Sequence, residues 1–216
     1  MVADIFEFWR NVASDARMHP ADQDVFARIK NHGFDLKALP GCFMGPLRTA
    51  PVVLLFLSPG KSKGDRPSPT LADWHKRTRL GNEPLISEAV HASAHNWWVQ
   101  RTKCFGLPAE TLATNVAILN IGAYHSKEFT DHGMLAALPS SRMSLEWAQN
   151  VLFPQAEAGD RVVICLRAAK YWGLESGKRY QGFLFAPKVT RGGHIHQTER
   201  KHIVAAVQRR LCHAPC

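Results

Sequence analysis

The stretch Pro51-Val-Val-Leu-Leu-Phe-Leu57 decides the fold, because it is an unbroken run of apolar residues. A continuous run of this length is typical of a strand that is buried on both faces of a parallel sheet. Three more such runs follow at residues 116–119, 161–166 and 183–186. The sequence therefore predicts four strands that belong to one mostly parallel sheet.

The segments between these runs are long enough to hold crossover helices, which we expect around residues 86–104, 140–152 and 168–172. Residues 198–211 predict a basic helix that closes the chain. Strands that alternate with helices imply a layered α/β fold with right-handed connections. In such sheets the ligand lies outside the carboxyl ends of the strands, so the residues that follow each run are the candidate site.

The chain of 216 residues is long enough for one well-packed domain and too short for two ordinary ones. Apolar residues at three- and four-residue steps predict an amphipathic helix over residues 3–18, and residues 22–31 predict a second. We expect a single domain over residues 1–216, with residues 1–50 as an N-terminal helical extension packed on an α/β core of residues 51–212.

The composition is that of a basic globular protein. There are 27 Lys plus Arg against 18 Asp plus Glu, which gives a formal net charge of +9. This surplus favours polyanionic partners, because each phosphate that a Lys or Arg neutralises releases counterions. A basic surface that only maintains solubility explains the same charge.

The sequence shows no membrane or secretory signal. Its longest aliphatic or aromatic run, residues 52–57, is far below the roughly 20 residues that cross a bilayer. Asp4 and Glu7 interrupt the opening apolar stretch, unlike a secretory leader. The five cysteines form no C-x-x-C pair, which argues against a disulfide framework or a zinc ribbon. We expect a cytoplasmic protein that has no membrane partner.

The first strand runs into Ser58-Pro-Gly-Lys-Ser-Lys-Gly-Asp65, a glycine-rich loop with two lysines, two hydroxyls and one carboxylate. Gly60 allows backbone amides to approach an anion, and Lys61 and Lys63 add positive charge. A Walker A loop requires a glycine where Leu55 stands, so a nucleotide triphosphatase is disfavoured. The alternative interpretation is a simple turn.

The second strand ends in Asn120 and is followed by Tyr124, His125 and Ser126. An asparagine side chain both donates and accepts hydrogen bonds, as the reading of a base edge requires. Its alternative role is that of a capping or turn amide.

The third strand leads to Arg167, and the fourth leads to a turn with Arg191, His194 and His196. Either arginine could hold a phosphate or a carboxylate, or form a structural ion pair. The histidine spacing does not match a zincin motif. We therefore expect no metal ion and no other cofactor.

These strand ends resemble the uracil-DNA glycosylase superfamily over residues 51–211. Leu57-Ser-Pro-Gly60 looks like its first motif, a strand followed by Asn-Pro-Gly or Asp-Pro-Tyr, and Asn120 is similar to the asparagine that reads the extruded base. Residues 162–167 resemble its third-strand segment, and the turn with His194 and His196 takes the place of its His-Pro-Ser loop. Ser58 stands where the family has the Asn or Asp that positions the attacking water, and His-Pro-Ser itself is missing.

The resemblance implies a three-layer α/β/α sandwich around a four-stranded, mostly parallel sheet, and hydrolysis of the bond between a flipped base and deoxyribose. We expect Asp65 to replace the missing carboxylate near Ser58, and His194 or His196 to donate to the departing base. The expected base or ligand contacts are Pro59, Gly60, Asn120, Tyr124, His125 and Ser126. The expected phosphate contacts are Lys61, Lys63, Arg167 and Arg191.

Two other functions stay open at this point. With Ser58 in the catalytic place, a protein of this fold could bind nucleic acid, DNA above all, or a nucleotide-like ligand without cleaving it. It could also hydrolyse a free nucleoside or a sugar phosphate. The size of the substrate separates these hypotheses.

Overall fold

The computed structural model describes residues 3–127, 132–190 and 192–212, with only the backbone for residue 63. Within these ranges the chain is an α/β protein with five strands: β1 (Phe43–Met44), β2 (Val52–Phe56), β3 (Val116–Asn120), β4 (Val162–Cys165) and β5 (Leu184–Phe185). The four predicted runs coincide with β2 to β5. The prediction of an α/β sheet is therefore confirmed.

The sheet is mixed and has the strand order β1-β3-β2-β4-β5. The central strand β2 pairs in parallel with β3 and with β4, and β4 pairs in parallel with β5. The added strand β1 pairs antiparallel with β3, with Phe43 opposite Leu119. The prediction of a four-stranded sheet is thus wrong by one strand. A strand of two residues carries no periodic signal that a sequence pattern could reveal.

Helices cover both faces of this sheet. The α-helices of the described ranges are α1 (Ile5–Arg10), α2 (Gln23–Arg28), α3 (Pro69–Thr78), α4 (Glu88–Thr102), α5 (Ala109–Asn115), α6 (Gly133–Ala137), α7 (Pro139–Trp147), α8 (Phe153–Glu157) and α9 (Gln197–Cys212). A π-helical turn joins α7 to α8. None of these helices combines the length and the apolar composition of a bilayer span.

The five residues of β2 are all buried and alternate between two apolar clusters. Val53 and Leu55 pack with α1, α7 and α8, whereas Val52, Leu54 and Phe56 pack with α3, α4, α5 and α9. Burial on both faces explains why the run has no polar alternation. It also fixes the register of the sheet and therefore the positions of the strand ends.

The first predicted helix, over residues 3–18, is wrong in extent, because α1 ends at Arg10. Beyond it, the buried guanidinium of Arg79 donates hydrogen bonds to the carbonyls of Val12 and Ala13. The Val12 carbonyl therefore serves a tertiary contact, and the Ala13 carbonyl combines such a contact with a bond from the Ala16 amide in a tight turn rather than in a longer α-helix. The second predicted helix is a 3-10 turn followed by α2.

Candidate functional site

A cavity of about 240 Å³ lies at the carboxyl ends of β2 and β3. Its walls are largely apolar and include the rings of Phe43, Trp74 and Trp97. This volume is slightly below the range typical of pockets for drug-sized ligands, so the cavity suits one small ring system. Seven of the predicted site residues line it: Ser58, Pro59, Gly60, Lys61, Asp65, Asn120 and His125.

The carboxylate of Asp65 accepts three hydrogen bonds and forms one close ion pair at the cavity wall. Its Oδ1 accepts from the Ser62 hydroxyl at 2.8 Å and from His91 Nε2 at 3.0 Å. Its Oδ2 accepts from the Ser62 backbone amide and lies 3.3 Å from His125 Nδ1. The carboxylate is therefore fixed in position and orientation.

These contacts also fix the charge of Asp65. Burial by itself would raise the pKa of this carboxyl, but the hydrogen bonds from His125, His91 and the Ser62 amide outweigh burial and hold the pKa well below its usual range. Asp65 is therefore a permanent negative charge in a largely apolar cavity, where its field is weakly screened.

His91 is positioned by a break in α4. Its backbone is extended within the helix, and its Nδ1 accepts a hydrogen bond from the Ala94 amide at 3.2 Å. Because Nδ1 accepts, Nε2 carries the proton that is donated to Asp65. The ring packs tightly on the preceding turn, since a Cβ added to Gly64 would lie 2.8 Å from His91 Cε1.

His125 bridges the segments that follow β2 and β3. Its Nδ1 lies 2.7 Å from the Gly60 carbonyl oxygen, which can only accept, so Nδ1 carries the proton. A parallel bridge between Gly60 and Ser126 keeps the two segments side by side. The opposite nitrogen, Nε2, has no hydrogen-bond partner among the described residues, and a Cβ at Gly41 would lie 3.9 Å from it. His125 therefore offers Nε2 as a proton acceptor at the cavity.

Asn120 ends β3 and is 5% exposed. Its Nδ2 donates to the Gly41 carbonyl at 2.8 Å, and its backbone amide donates to the Cys42 carbonyl at 2.7 Å. These contacts anchor the side chain to the segment that carries β1. One N–H and the amide oxygen of Asn120 are left for a ligand.

Two further predicted residues support the loop after β2. The Ser58 and Ser126 hydroxyl oxygens lie 3.2 Å apart, so Ser126 backs Ser58 rather than lining the cavity. Lys61 Nζ lies 2.7 Å from Asp35 Oδ2, with half of the lysine side chain exposed. Lys61 is therefore an ion-pair partner at the mouth of the cavity as well as a candidate phosphate contact.

Tyr124 does not reach the cavity, contrary to the expectation that it contacts the ligand. It is 1% exposed, and its hydroxyl donates to the Asp22 carboxylate and accepts from the His19 amide. The chain turns after β3 so that the ring faces the α1 side of the core. The phenol of Tyr124 is therefore a structural group.

The two histidines of the last turn do not line the cavity either, which corrects their expected contact with the departing base. His196 is exposed, and its Nδ1 lies 3.0 Å from Thr198 Oγ1. His194 Nε2 accepts from Arg101 at 2.8 Å, and the Arg101 guanidinium lies 5.7 Å from the centre of the Trp97 ring. His194 thus reaches the cavity rim only through Arg101.

Arg101 belongs to a cationic group that lies next to the cavity residue Trp97, although no member of the group lines the cavity itself. Burial and the nearby charge of Arg167 lower the pKa of Arg101. Partial burial and the charges of Arg101 and Arg200 lower the pKa of His194. We call Arg101, Arg167 and Arg200 the arginine rim. The predicted Arg191 and the side chain of Lys63 lie outside the described residues.

Sequence reasoning missed three residues here, namely His75, His91 and Arg101. All of them lie on helices, and only their packing directs them to the strand ends. Within the described ranges, no three His, Cys, Asp or Glu side chains are grouped as metal ligands would be.

The site combines a fixed carboxylate, an imidazole nitrogen and an amide around a cavity with aromatic walls. Comparison with known proteins finds no matching family model, no matching curated protein and no matching solved structure. Chemically, this set of groups can hold a small polar ring, stabilise a neighbouring positive charge and accept a proton from water.

Proposed function

We propose that this protein hydrolyses the N-glycosidic bond of a damaged or uracil-like base that has been extruded from nucleic acid, with DNA as the favoured substrate. The observation that carries the proposal is the Asp65 carboxylate, held by three hydrogen bonds and paired with His125 at a cavity the size of one base. Cleavage of this bond develops positive charge on the sugar, and a fixed carboxylate lowers the energy of such a charge.

In this proposal, one part of the substrate binds inside the cavity and the other part binds at its mouth. A flipped base fits against Trp74 and Trp97, while the sugar and phosphates stay at the mouth. There the arginine rim and Lys61 supply positive charge, in keeping with the net charge of +9. Asn120 contacts the base edge through its amide oxygen and its remaining N–H.

The contacts of Asp65 with Ser62, His91 and His125 change the role that we give it. Its oxygens are occupied, so the attacking water is held by His125 Nε2 and the Ser58 hydroxyl instead. The water oxygen bonds to the anomeric carbon as the bond to the base nitrogen breaks. The electron pair of that bond leaves with the base, and the water proton passes to His125 and then to the departing base.

The test is base release from oligonucleotides that carry uracil, hypoxanthine or other altered bases, scored as alkali-labile sites. Free nucleosides are assayed in parallel, with Asp65→Asn as the inactive control. The proposal is supported if the wild type releases bases from oligonucleotides and Asp65→Asn abolishes this release. Release from nucleosides alone would identify a small-molecule hydrolase, and retention of oligonucleotides without release would identify a binding protein.

A further inference from the structure

We propose that His75 hydrogen-bonds the heterocycle held in the cavity and determines which ring edge is accepted. This inference rests on the proposed function for the identity of the heterocycle, but it concerns recognition rather than cleavage. It concerns a residue on α3, outside the strand ends on which sequence reasoning concentrated.

The first observation is where α3 places the imidazole. Leu71, Trp74, His75 and Thr78 are the buried residues of this helix and recur at the spacing of one helical face. Leu71, Trp74 and His75 line the cavity, and Thr78 lies beyond it. Of the side chains that this face brings to the cavity, His75 is the one whose ring can both donate and accept a hydrogen bond, since the Trp74 indole can only donate.

The second observation is that His75 is buried without a partner. The residue is 8% exposed, and within the described ranges its ring makes no hydrogen bond. Some polar atoms, such as Trp9 Nε1 and Thr78 Oγ1, are sealed in the core without a partner. The ring nitrogens of His75 are not sealed in this way. The ring nitrogens therefore face the cavity. Polar groups on a cavity wall hydrogen-bond to whatever fills the cavity, so a bound ligand can meet these nitrogens directly.

The charged groups around His75 determine which kind of ligand it can bind. Arg79 just after α3, His91 on α4 and His125 after β3 act on its charge, and Asp65 is already engaged by Ser62, His91 and His125. Burial, followed by the charge of Arg79, lowers the pKa of His75 to about 3. The ring is neutral near pH 7 and presents one donor and one acceptor.

A neutral imidazole of this kind fits an uncharged ring edge, because one of its nitrogens can either donate to a ring carbonyl or accept from a ring N–H. It cannot supply a proton near pH 7, since its protonated form is not populated there. His75 is therefore a recognition residue that touches the base, whereas Asp65 and His125 carry the chemistry.

The experiment measures binding in the Asp65→Asn background, where we expect base release to be too slow to consume the probes during the measurement. The probes are uracil, hypoxanthine, N3-methyluracil and oligonucleotides that contain uracil or hypoxanthine. His75→Phe keeps a ring but removes both hydrogen-bonding groups, and His75→Gln restores a donor and an acceptor on a flexible chain. Thr78→Val is the matched control, because it is buried on the same helix outside the cavity.

We expect His75→Phe to weaken binding of the preferred probe by about tenfold or more. His75→Gln should recover part of this loss and change the ratio of affinities for uracil and hypoxanthine, while Thr78→Val should leave both affinities unchanged. In the His75-containing protein, the ring nitrogens of His75 should shift in NMR spectra on ligand addition at pH 7. Circular dichroism verifies that each variant is folded.

Each outcome separates this inference from the proposed function. If binding depends on His75 but the wild type releases no base, the proposed hydrolysis is overturned and the inference is supported. If a folded His75→Phe variant releases bases and binds the probes as the wild type does, the inference alone is overturned. If none of the probes binds, both proposals are overturned.

Discussion

The Nδ1 of His125 lies 3.3 Å from Oδ2 of Asp65, and this contact joins the loop after β2 to the segment after β3. The two strands are parallel neighbours, with Phe56 opposite Asn120, so their carboxyl ends meet at the same edge of the sheet. The pair orients the imidazole, because Nδ1 is held and Nε2 is left to act. This dyad is the centre of the proposed mechanism.

Asp65→Asn is expected to reduce base release by about 10²-fold or more, because the charge that stabilises the cationic sugar is lost. Ser58→Ala should have the smaller effect, since its hydroxyl carries no charge and only helps to hold the water. Single-turnover kinetics on an oligonucleotide substrate measure both effects. Release that survives Asp65→Asn in a folded protein would refute this mechanism.

Gly64→Ala is expected to displace His91, because the new Cβ would lie 2.8 Å from the ring. We expect the unfolding free energy to fall by about 1–3 kcal/mol, as for other overpacked sites. Gly60→Ala is the matched control in the same loop, because its Cβ would meet nothing within 4 Å. Urea denaturation of both variants checks this prediction, and equal stability would show that the loop relaxes around the methyl group.

Asn120→Asp is expected to change base preference and also to cost stability. The cost in stability arises because Nδ2 donates to the Gly41 carbonyl at 2.8 Å. A carboxylate there would face a carbonyl oxygen, which costs about 1–3 kcal/mol for the lost and unsatisfied bond. Asn115→Asp is the control, since that amide also donates to a backbone carbonyl but is less buried. If Asn120→Asp has the same unfolding free energy as the wild type, the hydrogen bond to Gly41 does not contribute to stability.

Stability should decrease on acidification because of His75. The pKa of this residue is about 3 in the folded protein, against about 6.5 in an unfolded chain. The unfolded state therefore binds more protons between these values, and the unfolding free energy falls as pH drops from about 6.5 toward 3. Thermal denaturation at several pH values should show a shallower dependence in His75→Gln. Identical slopes would mean that His75 titrates normally in the fold.

Arg101→Gln is expected to weaken binding of oligonucleotides and to reduce the slope of log affinity against log salt concentration by about one. The reason is the position of Arg101 over Trp97 at the cavity rim. Arg77→Gln is the matched control, because that exposed arginine is paired with Asp73 and Glu83. An unchanged slope in Arg101→Gln would place the phosphates elsewhere.

The strands and part of the site could be predicted because their signals are local. A buried parallel strand is a contiguous apolar run, and Asp65, Asn120 and His125 follow such runs closely in the chain. Parallel pairing then brings these strand ends together at one edge of the sheet. No knowledge of the helices was needed for this step.

The helical part of the site could not be placed in this way, because it depends on which face of each helix packs on the sheet. A break in α4 positions His91. Arg101 lies one turn after Trp97 on the same helix, so that its guanidinium lies over the Trp97 ring. For His75 a signal did exist: Leu71, Trp74, His75 and Thr78 have the spacing of one buried helical face. Tyr124 was misplaced because the turn after β3 reverses the face that its ring occupies.

The short strand β1 has a consequence for the open edge of the sheet. Its pairing with β3 occupies backbone groups that would otherwise be available to any extended chain, and Cys42 adds a bond to Asn120. Unpaired strand edges recruit strands from other molecules. Loss of β1 would therefore open the edge of β3 to edge-to-edge pairing between copies of the protein.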